Sequence, residues 1–149
     1  MARPSGGHAI VIGGSMSGLL SALLLSRAGW AVDIYERVEG ELSGRGAGIV
    51  AQQELMARLR TLGFSTDDLG VRYSKRKIFD VQGRVTREID IPQVGTAWER
   101  LYRLLRDAFP AEHYHRGRSL AKLTQDTQAV TAYFSDGETV NADLLVGAD

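Results

Sequence analysis

The sequence predicts an α/β fold that opens with a strand–helix–strand unit and continues through antiparallel hairpins. Residues 8–12 form a short apolar run with β-branched side chains before a glycine turn, which is typical of a buried parallel strand. Residues 16–28 are rich in leucine and alanine and predict a helix that ends at Gly29. The apolar run 31–35 predicts a second strand, so we expect a right-handed βαβ crossover.

After this unit the chain leaves the βα pattern. A loop with four glycines covers residues 40–48, and apolar side chains at helical spacing predict a helix over 52–62. A change of pattern over 72–91 predicts an antiparallel hairpin that turns near Gln82-Gly83. A nicotinamide-binding Rossmann domain would usually continue with further βα repeats, and this chain does not.

One more helix and a second hairpin are predicted in the last third of the chain. Thr96 and Glu99 match a capping box, so we expect a helix to begin there. Its apolar face is formed by Trp98, Leu101, Tyr102, Leu105 and Phe109. The pair Asp136-Gly137 predicts a hairpin turn, and residues 142–146 predict a final apolar strand.

Composition narrows the class of protein without identifying it. The 149 residues are 44% hydrophobic and 24% charged, as in ordinary globular proteins, and 18 basic residues balance 18 acidic ones. A balanced charge gives no net field that would recruit nucleic acid or an anionic membrane. The absence of cysteine excludes disulfides, thiolate metal sites and a cysteine nucleophile, and it suits a reducing cytoplasm. We therefore expect a cytoplasmic protein without metal, nucleic-acid or membrane partners.

The glycine turn after the first strand is typical of a dinucleotide site. In such a turn the first glycine permits the sharp bend, the second lets backbone amides approach a pyrophosphate, and the third lets the helix pack on the strand. Gly13 and Gly18 stand at the first and third positions, while Ser15 stands where the second glycine is expected. Together with Gly14 and Met16, they would present amides and the positive end of the helix to the phosphates. The Ser15 hydroxyl can itself donate to a phosphate oxygen.

Glu36 completes this pattern at the end of the second strand. It follows the glycine turn by about 20 residues, where an acidic side chain accepts hydrogen bonds from a ribose in dinucleotide-binding units. The alternative is a phosphate-free turn next to a surface glutamate.

Three separated motifs resemble the single-component flavoprotein aromatic hydroxylases, which share the para-hydroxybenzoate hydroxylase fold. The motifs occupy residues 8–19, 32–37 and 44–49, and residues 143–149 resemble the start of that family's second fingerprint. The form of the first turn, with Thr96-Ala97-Trp98 and Tyr102-Arg103, is most similar to the 2,6-dihydroxypyridine hydroxylase branch. The resemblance implies a Rossmann-like FAD-binding βαβ unit with inserted antiparallel hairpins. It also implies that the chain is the incomplete N-terminal part of an FAD-binding domain, with the hairpin at about 71–92 starting a substrate-side sheet.

The resemblance assigns cofactor-binding roles residue by residue. Gly13, Ser15 and Gly18 would hold the FAD pyrophosphate, and Glu36 would hold the adenosine ribose. Arg37 would lie beside the adenine, although a solvated charge at the strand end is an equal alternative.

Four further positions are assigned in the same way. Arg45 would lie near the flavin, with an exposed loop arginine as the alternative. Arg103 is the candidate arginine of the later helix, where a solvent-facing charge is the alternative. Leu120 would offer backbone atoms to the adenine unless it is an ordinary core leucine. Asp149 would belong to a motif that contacts both FAD and the nicotinamide cofactor.

By the same resemblance, the parent enzyme would oxidise NAD(P)H through FAD and use O2 to hydroxylate an aromatic or N-heteroaromatic ring. No catalytic side chain is assigned, and we expect this chain alone to retain FAD weakly or not at all and to be inactive. Two alternatives stay open: an NAD(P)-dependent dehydrogenase, if Arg37 selects a nicotinamide cofactor, and a non-catalytic dinucleotide-binding fragment. His113 and His115 have a spacing that can bind metal, but without a third ligand nearby we expect surface histidines.

Overall fold

The computed structural model describes residues 6–42, 44 and 47–148, and the chain divides into two compact units. The first unit comprises residues 1–44 and 102–149, and the second comprises residues 45–101. In chain order the elements are β1 (His8–Ile12), α1 (Met16–Arg27), β2 (Ala31–Glu36), β3 (Gly48–Ala51), α2 (Gln53–Thr61), β4 (Val71–Phe79), β5 (Val85–Ala97), α3 (Trp98–Ala108), a short 3-10 helix (Ala111–His113), β6 (Tyr114–Arg116), β7 (Leu120–Gln125), β8 (Val130–Phe134), β9 (Thr139–Ala142) and β10 (Leu144–Gly147).

Four parallel strands form a sheet in the first unit, in the order β10-β1-β2-β6. β1 lies inside this sheet, and its central residues Ala9, Ile10 and Val11 are completely buried. Parallel sheets are usually covered on both faces, which accounts for the continuous apolar run. The predicted strand, helix and strand are confirmed, with α1 ending at Arg27 and β2 extending to Glu36.

A three-stranded antiparallel sheet, β7-β8-β9, supplies much of the remaining core of the first unit. The rings of Tyr35 on β2 and Phe134 on β8 lie 4.6 Å apart. The buried cluster consists of Ile10, Tyr35, Val130, Ala132, Phe134 and Ala142. The predicted second hairpin is confirmed, and Gly137 in its turn has a φ of 89°, a conformation that favours glycine.

The second unit contains α2 and an antiparallel sheet in the order β3-β5-β4. The first predicted hairpin is confirmed with longer strands, and Gly83 in its turn has a φ of 79°. β4 is an edge strand whose two lysines pair with acidic side chains on β5, as Lys75 Nζ does with Glu88 Oε1 at 2.5 Å. β3 was not predicted, because four residues that pair with a distant partner leave no alternating pattern to detect.

The capping box predicted at Thr96 is wrong. Thr96 belongs to β5, is 8% exposed, and donates its hydroxyl hydrogen bond to the Leu69 carbonyl oxygen at 2.6 Å. Long-range strand pairing overrides the local capping signal, and α3 begins directly after the strand at Trp98. The predicted apolar face of α3 is confirmed at Leu101, Tyr102 and Leu105, which are buried, and Phe109 is buried directly after the helix.

Within the described ranges, no helix combines the length and the apolar character needed to cross a lipid bilayer. α1 has 12 residues, whereas a spanning helix needs about 20.

Candidate functional site

The candidate site lies at the carboxyl ends of the adjacent parallel strands β1 and β2. Gly13 follows β1, and its N–H donates to the Tyr35 carbonyl oxygen at 2.9 Å. Gly13 has a φ of 104°, which is the conformation that the sharp-turn role requires and that other residues rarely adopt. The chain therefore turns from the end of β1 directly toward the start of α1.

Gly18 allows α1 to lie close to this turn. A β-carbon at Gly18 would overlap the carbonyl oxygen of Gly13, which belongs to the backbone and has little freedom to shift. The close approach of helix and strand is the packing role that dinucleotide-binding units give to their third glycine.

The carboxylate of Glu36 is buried within the bend and is 5% exposed. Its Oε2 accepts a hydrogen bond from the Gly14 N–H at 2.7 Å, and its Oε1 accepts one from the Val38 N–H at 2.8 Å. A carboxylate has roughly four lone-pair sites, so about two acceptor positions remain after these bonds. The sequence predicted an acidic side chain near the turn, and the structure brings it into direct contact.

Tyr114 is a part of this site that the sequence analysis missed. Its hydroxyl donates to the Gly14 carbonyl oxygen at 2.8 Å, and its side chain is buried. A β-carbon at Gly14 would overlap the Tyr114 hydroxyl and approach Glu36 Cβ within 2.9 Å. Gly14 is therefore required by the packing of these two side chains. Only the pairing of β6 with β2 reveals this contact, and no local pattern around residue 114 predicts that pairing.

Ser15 and Met16 mark the start of α1. Ser15 is the N-cap residue with extended backbone angles, and its hydroxyl makes no capping hydrogen bond. The first turn of α1 contains no acidic residue. The first amides of a helix lack partners inside the helix, so this end offers N–H donors and a partial positive charge. Such an end attracts phosphate groups.

A cleft of about 330 Å³ adjoins the bend within the first unit. This volume falls in the range of roughly 300–1,000 Å³ typical of small-molecule pockets. The structure brings Gly13, Arg37 and Leu120 together as lining residues of this cleft. The remaining lining residues are Ile12, Tyr35, Arg118, Ser119, Leu123, Leu145 and Gly147. A larger cavity of about 800 Å³, beside α2 in the second unit, contains none of the predicted cofactor residues.

The other predicted arginines have different positions. Arg45 lies outside the described residues, as does Asp149. Arg103 is exposed on α3. The hydrogen bond from Arg116 is the main cause that lowers the pKa of Glu41, and the positive charge of Arg103 adds to it. The arginine of α3 that approaches the bend region is Arg106, whose guanidinium lies 4.2 Å from the centroid of the Tyr114 ring.

The histidines do not behave as isolated surface residues, because all three of them contact Asp33. Asp33 Oδ1 lies 3.0 Å from His113 Nδ1 and 2.9 Å from His115 Nε2, and Oδ2 lies 2.9 Å from His8 Nε2. Burial alone would raise the pKa of Asp33, but the hydrogen bonds from His115, His113 and His8 hold it below its usual range. Among the described side chains, no group of three or more His, Cys, Asp or Glu is arranged to hold a metal ion.

A parallel βαβ unit whose glycine bend meets a buried carboxylate at the carboxyl end of the sheet is the architecture of dinucleotide-binding domains. Comparison with known proteins narrows this class to one family. The family described as "FAD binding domain" matches residues 8–149, which is nearly the whole chain. The chain belongs to this family.

The relatives extend this finding. The 2,6-dihydroxypyridine 3-monooxygenase of Paenarthrobacter nicotinovorans is 37% identical over 147 residues, or 98% of this chain and 37% of the relative. The 2-heptyl-3-hydroxy-4(1H)-quinolone synthase of Mycobacteroides abscessus is 34% identical, over 97% of this chain and 40% of the relative. The chain thus spans less than half the length of these two proteins.

The solved structure of 2,6-dihydroxypyridine-3-hydroxylase from Arthrobacter nicotinovorans matches with a TM-score of 0.86 and 37% identity, covering 99% of this chain and 38% of that one. The fold is also shared by Klebsiella pneumoniae HpxO, solved with FAD and uric acid, at a TM-score of 0.79 and 24% identity over 95% of this chain and 39% of that one. These matches confirm the predicted α/β fold class. They also confirm the resemblance to flavoprotein aromatic hydroxylases of the 2,6-dihydroxypyridine branch.

Proposed function

We propose that this chain binds FAD across the bend formed by Gly13–Gly18, as part of an NAD(P)H-dependent flavoprotein monooxygenase. The substrate class that we propose is a small electron-rich aromatic or N-heteroaromatic ring, such as the dihydroxypyridine named for a relative. The observation that carries the proposal is the 2.7 Å hydrogen bond between the Glu36 carboxylate and the Gly14 amide. This contact supports the proposal, because a carboxylate suited to a sugar then lies beside amides suited to a diphosphate.

The pyrophosphate of FAD would bind at the start of α1. The amides of Ser15 and Met16, together with the Ser15 hydroxyl, would donate to the phosphate oxygens. The first turn of α1 lacks an acidic side chain, so no carboxylate there opposes the negative ligand. Gly13 and Gly18 would act indirectly, because they let the helix start this close to β1.

The adenosine half would bind between Glu36 and the neighbouring cleft. The acceptor positions left on Glu36 would receive the ribose hydroxyls. Arg37 and Leu120 line the cleft, where a guanidinium and a leucine backbone are suited to the face and edge of an adenine. On the resemblance alone, Arg45 is proposed to lie near the flavin and Arg103 to contact FAD. Asp149 is proposed to belong to a motif that contacts both FAD and the nicotinamide cofactor.

FAD, when bound, supplies both the acceptance of a hydride from NAD(P)H and the activation of O2. The residues of this chain bind and orient the cofactor, and no side chain here is proposed to transfer a proton. The hairpin formed by β4 and β5 is proposed to belong to the start of a substrate-side sheet. The ring substrate and the nicotinamide cofactor would then be held largely by other parts of the parent protein.

Equilibrium titration of the chain with FAD, followed by flavin fluorescence and absorbance, tests this function. We expect binding in excess FAD, and a Glu36→Gln variant that binds roughly 10- to 150-fold more weakly, as for loss of a hydrogen bond to a charged acceptor. Glu39→Gln is the matched control, because Glu39 is exposed in the loop after β2. A folded wild-type chain that binds no FAD would overturn the proposal. A chain that binds NADP more tightly than FAD would also overturn it and would support the dehydrogenase alternative.

A further inference from the structure

The backbone of the bend is held by two side chains, one on each of its consecutive peptide units. The Gly13–Gly14 unit is held through its N–H by Glu36 Oε2, at 2.7 Å. The Gly14–Ser15 unit is held through its carbonyl oxygen by the Tyr114 hydroxyl, at 2.8 Å. These two contacts come from β2 and β6, which are neighbouring strands of the parallel sheet.

The second contact has a geometric consequence for the next amide. The peptide bond is planar, and none in the described chain is cis, so the carbonyl and the N–H of one unit point in opposite directions. Because Tyr114 holds the Gly14 carbonyl on the buried side of the bend, the N–H of Ser15 is directed away from Tyr114. Ser15 is the N-cap of α1, so this amide is among those that face an incoming phosphate.

We propose that Tyr114 is a positioning residue of the FAD site, which fixes the Gly14–Ser15 peptide so that its N–H is preoriented toward the pyrophosphate. This inference rests on the proposed FAD binding and assigns Tyr114 a role that acts through the backbone, without contact to the cofactor. The peptide is then already oriented in the folded chain, so the free energy of FAD binding is not reduced by the cost of ordering it.

The surroundings of Tyr114 keep it in place as a donor. The Arg106 guanidinium lies over the ring at 4.2 Å, and that of Arg116 lies 5.8 Å from the centroid. Burial raises the pKa of Tyr114 well above its ordinary value. The phenol therefore keeps its proton at neutral pH, and its hydroxyl remains a donor to the Gly14 carbonyl oxygen.

The test is a Tyr114→Phe variant of the full chain, with Tyr133→Phe as the control. Phenylalanine keeps the ring and its packing against Arg106 but removes the donor, and Tyr133 is a partly exposed tyrosine on β8. We expect Tyr114→Phe to bind FAD about three- to tenfold more weakly, as for loss of one neutral hydrogen bond. The control should bind FAD as the wild type does.

A second measurement separates positioning of the diphosphate from a general loss of structure. ADP and adenosine compete with FAD, and only ADP carries the diphosphate. In Tyr114→Phe the affinity for ADP should fall while that for adenosine stays within twofold, so their ratio changes. The ratio is measured below the melting temperature of each variant, so a change in stability does not affect it. An unchanged ratio overturns the role of Tyr114, whereas a wild-type chain that binds neither FAD nor ADP overturns the proposed function itself.

Discussion

The Glu36 carboxylate and the Gly14 amide are hydrogen bonded at 2.7 Å although they are 22 residues apart in the sequence. This contact joins the carboxyl end of β2 to the bend that follows β1. It places the acidic group and the helix start, both expected to face a dinucleotide, in one continuous hydrogen-bonded structure.

Gly14→Ala should destabilise the first unit. The added β-carbon would overlap the Tyr114 hydroxyl and lie 2.9 Å from Glu36 Cβ, so buried side chains would have to move. Overpacking of this kind costs about 1–3 kcal/mol, measurable as a lower midpoint in chemical unfolding. Gly40→Ala is the control, because a β-carbon there meets no atom within 4 Å. Equal stability of the two variants would contradict the packing that the structure shows at Gly14.

Ser15→Ala should weaken FAD binding without destabilising α1. The Ser15 hydroxyl makes no capping hydrogen bond, so its removal costs the helix little. If the hydroxyl donates to a phosphate, the affinity for FAD should fall about three- to tenfold. Ser21→Ala is the matched control, since the Ser21 hydroxyl donates within α1 to the Ser17 carbonyl oxygen at 2.7 Å. Unchanged FAD affinity in Ser15→Ala would remove the hydroxyl from the proposed site and leave only its amide.

Asp33→Asn should change how stability depends on pH. The pKa of Asp33 is lowered in the folded chain, so its ionised form contributes stability above the unfolded pKa, and this contribution is lost as the pH falls through the folded value. The groups around it are His8 on β1, His113 in the 3-10 helix and His115 on β6. We expect Asp33→Asn to melt at a lower temperature than the wild type at pH 5, and this difference to shrink below the model-compound pKa of 3.8.

Thermal unfolding followed by circular dichroism from pH 7 to pH 2.5 checks this expectation. Asp107→Asn serves as the control, because Asp107 is exposed on α3. A difference between wild type and Asp33→Asn that persists undiminished at pH 2.5 would show that the carboxylate charge is not the source of the stability.

Local sequence patterns were sufficient to predict the elements at the start of the chain. The contacts that they did not predict depend on pairing between strands that are distant in the sequence. β1, α1 and β2 follow one another directly, so apolar runs and glycine positions predict both the unit and the location of Glu36. Tyr114 is brought to the bend only because β6 pairs with β2, a neighbour separated from it by about half of the chain. The three histidines likewise meet at Asp33 because β1, β2 and β6 are adjacent in the sheet. Neither arrangement leaves a signal within a short window of sequence.

At Thr96, a local capping signal conflicts with long-range strand pairing. As a helix cap, Thr96 would tolerate replacement by aspartate, which is an equally good N-cap residue. The structure instead shows a buried strand residue that donates to the Leu69 carbonyl oxygen at 2.6 Å. Replacement by aspartate should then destabilise the protein, because an ionised aspartate would bury a charge and could not donate this hydrogen bond. We expect Thr96→Asp to unfold at a clearly lower urea concentration than the wild type. The free energy of unfolding of Thr96→Val should be about 1 kcal/mol lower than that of the wild type. Stability of Thr96→Asp equal to that of the wild type would restore the capping interpretation.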